Sequence, residues 1–255
     1  MVLPLGDVEK TRIVPVVTYL LILVNIVMFC VELDQGKTFQ ASYSATPYEI
    51  THAEDIVQPV PVLLEGDRVK GEPMIEHGPI PFSVYLTLIT SMFLHLNPLH
   101  LAFNMLFLWI FGDNVEEVFG SFRYFLAYLT CGLVGTLAQI VITPDSHIPI
   151  LGASGAIAGV MGAYLIWYPY NRVRVLFFNF LTVMPAFLVI GIWILLQIGM
   201  SIGSIHQLGE VGGVAYLAHV GGATTGLILG LLFRNQAIRV QAESYRDAWA
   251  EYDRI

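Results

Sequence analysis

The sequence predicts an all-α polytopic membrane protein of six transmembrane helices, and three observations carry that expectation. Charged residues make up only 13% of the 255-residue chain and hydrophobic ones 56%, whereas a soluble domain carries about 25% charged residues. Apolar runs of about 20 residues, the length that crosses a bilayer, recur along the chain. Basic residues gather on alternate connecting segments, as they do when those segments stay on one side of a membrane. A mean hydropathy of +0.68 agrees. The net charge of −8 argues against a nucleic-acid partner. Cys30 and Cys131 both lie inside apolar runs, so no disulfide framework is expected. No H-E-x-x-H, His–Cys ligand cluster or phosphate loop is present, so neither a metal nor a cofactor is expected.

Taken in order, residues 1–12 form a short polar leader with Lys10 and Arg12. Ile13 to Val31 is the first span; it is too long for a signal-peptide core and no small-x-small cleavage site follows, so it is retained. A long loop rich in Pro, Glu, Asp and Gly fills 32–86, with short strand-like or interfacial pieces such as Val60 to Leu64. Pro81 to Ile89 is apolar but too short to cross, which makes 32–93 a large first outer loop ending in an interfacial segment. The second span begins near Leu94 or Pro98, ends at Phe111 and carries His95, His100 and Asn104. A turn at Gly112 to Ser121 leads to the third span, Phe122 to Ile142, and another at Thr143 to Ile150 to the fourth, Gly152 to Tyr168. The fifth span is read as Val175 to about Ser201, with Pro185 as a kink. A glycine-rich loop covers Ile202 to Gly213, the sixth span runs from Val214 to Phe233, and a charged helical tail occupies 234–255. The domain 13–233 is thus a single six-span body.

With both termini on the cytoplasmic side, nine of the 12 Lys and Arg residues fall on inner segments. The three on outer segments are Lys37, Arg68 and Lys70. This orientation sets the depth of each polar residue. Ser154 lies two residues into span four, roughly 3 Å below its outer end, and His219 roughly 8 Å into span six. His100 tops span two, and Asn104 lies one turn lower on the same face, since i and i+4 align. Four polar side chains from three helices share one outer layer, with nothing comparable expected near the inner ends.

Packing brings two of them together. Span six has Gly222, Gly226 and Gly230 spaced by four, and His219 tops the same stripe. Span four offers Gly155, Gly159 and Gly162 or Ala163, with Ala158 beside them. Small-xxx-small faces let helix backbones approach closely. Two such faces meeting below Ser154 and His219 put hydroxyl and imidazole within hydrogen-bond reach. An intramembrane histidine marks a functional site by default. Serine with histidine is a nucleophile and its general base. His100, the Asn104 amide and the Ser154 backbone N–H at a helix start are donors for a developing oxyanion; His95 receives no catalytic role.

These residues make the sequence resemble the rhomboid intramembrane serine proteases, from span one to span six. The matching pieces are His95-x4-His100-x3-Asn104, Gly112-x3-Glu116-x3-Gly120, Gly152-Ala153-Ser154-Gly155 and Ala218-His219-x2-Gly222-x3-Gly226. The resemblance implies a six-helix core with a Ser154–His219 dyad. It also implies an oxyanion and substrate site from His100, Asn104 and the local backbone at Gly152 and Ala153. The resemblance further implies single-span membrane-protein substrates, cut near the outer face where weak helices unwind into a water-filled cavity. A core of this kind resembles prokaryotic members, which implies a plasma membrane. Two features depart from the family pattern. Leu86 and Thr87 stand where many members carry a Trp-Arg pair in the first outer loop, and Ala158 stands where many carry an aromatic residue against the histidine. The leading alternative is a catalytically inactive relative that binds membrane proteins in quality control. Such relatives typically lack the serine or the histidine, and this chain keeps both. A channel is disfavoured by the absence of an inverted repeat and of polar inner halves.

Overall fold

A computed structural model describes residues 2–9, 11–61, 74–206 and 215–252. It begins with strand β1 (Val2–Asp7), then helices α1 (Val16–Gln35), α2 (Lys37–Tyr43) and α3 (Pro47–His52). The short strands β2 (Val60–Pro61) and β3 (Met74–Ile75) pair with each other, and α4 (Thr87–Thr90) sits between two 3₁₀ turns. Next come α5 (Pro98–Phe119), α6 (Ser121–Ile142) and α7 (Ser154–Trp167), the strands β4 (Arg172–Phe177) and β5 (Phe180–Pro185), and α8 (Ala186–His206), α9 (Tyr216–Leu232) and α10 (Arg234–Tyr252). The result is a mainly helical bundle of apolar helices. By length and composition α1 and α6 can each cross a membrane; two bent pairs, one ending in α5 and one starting with α9, bring the number to four. The helix α7 and the segment Ala186–Ile202 of α8 are shorter apolar stretches.

α7 sits at the centre. Ala156, Ala158, Met161 and Tyr164 along it are all buried, and α5, α6, α8 and α9 pack around it. Its contact with α9 is backbone on backbone. A Cβ added at Gly222 would run into the Gly155 carbonyl, and one added at Gly226 into the Gly159 carbonyl. Gly135 of α6 approaches α9 in the same way, with its Cβ position 2.5 Å from the Ala218 oxygen. Glycine is required at each of these positions because no side chain fits between the helices.

Three sequence expectations need correction. The segment read as the start of span five is a β-hairpin, β4–β5, with β1 added at its edge to make an antiparallel sheet in the order β1-β4-β5. The reason is legible in Arg172-Val-Arg-Val175: the arginines face out while Val173 and Val175 are fully buried, a period of two rather than 3.6. Pro185 therefore closes a strand and does not kink a helix, and α8 starts at Ala186, whose N–H donates to the Asn171 carbonyl at 2.8 Å. Within the leader, Val2–Asp7 forms the edge strand β1. The turn expected over Gly112–Ser121 is helix as far as Phe119, broken at Gly120 (φ +74°), a conformation that favours glycine. Most of the glycine-rich loop before α9, with the Val214 start of span six, lies outside the described residues, as do 62–64.

Buried polar groups also occur at the end of the bundle opposite Ser154. Fully buried Glu116 accepts from the Val17 N–H (3.0 Å), the Thr18 N–H (2.8 Å) and hydroxyl (2.9 Å), and the Ser121 hydroxyl (2.6 Å). A carboxylate at the start of α1 satisfies donors that have no intrahelical acceptor and complements the helix dipole. Nearby, the Tyr164 hydroxyl and the Asn114 amide both donate to Asp7, which docks β1 under α7.

The long loop braces the approach to Ser154. Ala45 and Ile150 exchange backbone hydrogen bonds at 3.0 and 2.8 Å. Tyr48 stacks between His52 and His147 at 4.1 and 4.5 Å. Beneath them lie buried His77 and Glu49, 3.8 Å apart. Burial, followed by the nearby His147, holds His77 below its usual 6.5. Its contribution to stability is therefore present above about pH 6.5 and lost as pH falls through the lowered folded value. Burial raises Glu49 and acts in the opposite sense, so the His77 effect is isolated by difference. The gap in thermal midpoint between the wild type and His77→Gln should shrink as pH is lowered from 7.5 to 5; a gap that stays constant contradicts the assignment.

Candidate active site

Ser154 is the first residue of α7, and His219 lies in the first turn of α9. The glycine contact below them sets the separation of the two helices. His219 Nε2 stands 2.7 Å from Ser154 Oγ. Gly152, just ahead of the serine, has φ +125°, and a Cβ there would lie 2.8 Å from the His100 ring and 3.6 Å from Ser154 Oγ. Only glycine fits this turn, on grounds of both conformation and space.

A cavity of about 280 Å³ opens over this pair, lined by His100, Phe103, Thr136, Gly152, Ser154 and His219 among others. His100 enters from the first turn of α5, which Asn97 caps by accepting the His100 N–H at 2.9 Å. His100 Nδ1 accepts the Leu96 N–H at 3.4 Å, which leaves the ring proton on Nε2, the nitrogen facing Gly152. The amides of Ser154 and Gly155 belong to the first turn of α7, whose N–H groups have no acceptor within the helix. Asn104 is buried one turn below His100, and its Nδ2 donor has no partner. A buried unpaired donor costs roughly 1–3 kcal/mol; Asn104 lies behind the cavity wall, which α5 lines with Leu99, His100 and Phe103.

Gly152 and Ala153 were expected to supply backbone donors. The Gly152 N–H is already given to the Ser91 carbonyl at 2.9 Å, so this residue contributes space and turn geometry instead of a donor. Ala153 is fully buried beneath the serine as the residue preceding α7. The packing glycines Gly155, Gly159, Gly222 and Gly226 meet as the spacing suggests. His95 is fully buried, with its ring edge-on to His100 at 5.3 Å. Its backbone is clamped to α1 and α2. The His95 N–H donates to both oxygens of Glu32 at 3.1 Å, and Gln40 Nε2 donates to the His95 carbonyl at 2.9 Å and to Glu32 at 2.8 Å. This clamp holds the segment before α5 where the Trp-Arg pair is missing; Leu86 is exposed, and the Thr87 hydroxyl donates to Val84 in its own turn.

Sequence reasoning missed Gln197 and Trp193 of α8. Gln197 Oε1 lies 2.8 Å from His219 Nδ1, and the Trp193 ring packs 5.6 Å from the imidazole. The available signal was a single amide in the apolar run Ala186–Met200, where polar side chains are costly.

A bundle of apolar helices in which a serine and a histidine meet across two glycine-faced helices, at the wall of a cavity, defines a class of helical membrane-protein architecture. Residues 83–236, more than half of the chain, match the Rhomboid domain; the chain belongs to the rhomboid family. It is 38% identical over 144 residues to the Rhomboid protease GluP of Bacillus subtilis (strain 168), covering 56% of this chain and 26% of that protein. It is 28% identical over 149 residues to Rhomboid protein 1, mitochondrial, of Saccharomyces cerevisiae, covering 57% and 41%. With Rhomboid-like protein 11, chloroplastic, of Arabidopsis thaliana it shares 29% over 157 residues, covering 58% and 52%. The matched stretch thus spans between about a quarter and a half of these relatives.

On the proteolytic reading proposed below, Asn104 is one oxyanion donor among several, worth at most about 3–4 kcal/mol, and Asn104→Ala should keep the fold and weaken peptide-bond cleavage. The check is kcat on a transmembrane substrate, with the thermal midpoint as control. A fall in stability with no loss of rate would make Asn104 a packing residue only.

Proposed function

We propose that this chain is an intramembrane serine endopeptidase that cleaves transmembrane segments of single-span membrane proteins near the outer face of the bilayer. The observation that supports it most is the 2.7 Å contact between Ser154 Oγ and His219 Nε2 at the wall of a cavity. In this reading His219 takes the Ser154 proton as Oγ attacks the scissile carbonyl. The oxyanion that forms is met by His100 Nε2–H, by Asn104 and by the amides at the start of α7. His219 then gives the proton to the leaving amine, and the acyl-enzyme ester remains on Ser154. Water, deprotonated by His219, attacks the ester, and release of the acid returns the proton to Ser154. No cofactor is invoked.

The proposal includes six spans, with both termini cytoplasmic and Ser154 at the outer end of α7, in a plasma membrane of prokaryotic type. Hydrolysis needs water, and hydrocarbon holds none, so a polar recess a few ångströms below the interface is the least costly place for the reaction. The substrate helix must unwind to expose its carbonyl, which favours substrates with helix breakers near their outer ends. Purified protein in vesicles should cleave such a single-span substrate. Ser154→Ala and His219→Ala should each lower the rate by more than about 10³-fold while keeping the wild-type thermal midpoint. Cleavage by His219→Ala at the wild-type rate would contradict the dyad, and a wild type that binds the substrate without cutting it would point to the quality-control alternative.

A further inference from the structure

We propose that Gln197 is a positioning residue for His219, which makes the reactive pair part of a Ser154–His219–Gln197 hydrogen-bonded chain held from one side by α8. This rests on the proteolytic reading above. The chain lacks an aromatic residue four positions after the serine; Ala158 stands there, fully buried. The imidazole is instead held by two side chains one turn apart on α8. Trp193 packs against the ring at 5.6 Å with planes 40° apart, and Gln197 Oε1 meets Nδ1 at 2.8 Å.

The chemistry follows from what a carbonyl oxygen can do. Oε1 only accepts, so the neutral imidazole carries its proton on Nδ1. That tautomer leaves a lone pair on Nε2, the nitrogen 2.7 Å from Ser154 Oγ. The opposite tautomer would put an N–H against the serine oxygen and could not take its proton. An amide in this role orients the ring and supports the imidazolium through its dipole, without placing a second full charge in an apolar layer, where a carboxylate is costly. Trp193 also touches Phe107 of α5 at 6.5 Å, so α8 is fixed against the helix that carries His100. Among the described residues, the titratable groups facing His219 are His100, across the cavity from α5, and Tyr216, one turn earlier on α9 at 6.4 Å.

The test uses the full chain in detergent, with a fluorophosphonate as probe. The rate of Ser154 labelling depends on the dyad and not on docking of a transmembrane substrate. Gln197→Leu should slow labelling by about 10- to 100-fold, at or below the low end of the 10²–10⁴ range of general-base catalysis. It should lower kcat on a transmembrane substrate by a similar factor and leave KM unchanged. Gln197→Glu keeps an acceptor at Nδ1. It should label within a few-fold of wild type, and the acid limb of its pH–rate profile should move to higher pH, because a carboxylate favours the imidazolium. Wild-type labelling by Gln197→Leu overturns the proposal. So does an acid limb in Gln197→Glu that stays in place, or a Gln197→Glu slower than Gln197→Leu, which would mean that the amide donates to His219. In each of these cases the proteolytic reading survives if wild type labels and Ser154→Ala does not; if wild type itself fails to label Ser154, that reading falls first.

Discussion

The structure depends on the backbone contact between α7 and α9. Gly155 and Gly159 meet Gly222 and Gly226 with no room for a Cβ between them. In a membrane there is no hydrophobic gain in bringing two apolar helices together, so close van der Waals packing is the available force. Cα–H···O contacts of the kind made at such interfaces add a smaller amount. The consequence is geometric. Helices this close bring the first residue of one and the first turn of the other within 2.7 Å, side chain to side chain. Bulkier helix faces would hold the same hydroxyl and imidazole out of reach.

Around that contact, carboxylates fix the ends of the neighbouring helices. Glu116 caps α1 at one end of the bundle, and Glu32, near the other end of α1, holds the His95 backbone just ahead of α5. One helix is thus tied at both ends to the segment that presents His100 and Asn104. The long loop adds its own brace through Ala45 and Ile150, immediately before Gly152 and Ser154. Ser154, His100 and His219 sit on helix starts, and the segments leading into α5 and α7 are braced by groups far from them in sequence.

The most legible features were those that follow from helical periodicity and small-residue spacing. The glycine stripes of α7 and α9, and His219 above one of them, needed only a period near 3.6 and the membrane depth of each residue. The hairpin of β4 and β5 was hidden because its apolar residues, Val175 to Met184, run straight into the apolar helix α8. Hydropathy cannot separate a strand from a helix there, although the Arg-Val alternation before it could have. Gln197 escaped for a different reason. Its significance lies in a contact between helices 22 residues apart in sequence, and a single amide in an apolar run carries no spacing pattern. The loop clamp by Glu32 and Gln40 was equally invisible, since neither residue lies near His95 in the chain. The oxyanion assignment of Gly152 failed on a backbone detail, the Ser91 carbonyl that already holds its N–H.

The most direct test of this dependence compares one added methyl group at two glycines. At Gly226 a Cβ has no room beside the Gly159 carbonyl; at Gly199 on α8 nothing lies within 4 Å. Fluorophosphonate labelling of Ser154 should fall sharply in Gly226→Ala, with a loss of stability of about 1–3 kcal/mol, and stay at the wild-type rate in Gly199→Ala. A Gly226→Ala protein that labels as fast as wild type would contradict the claim that this contact holds the hydroxyl and the imidazole together.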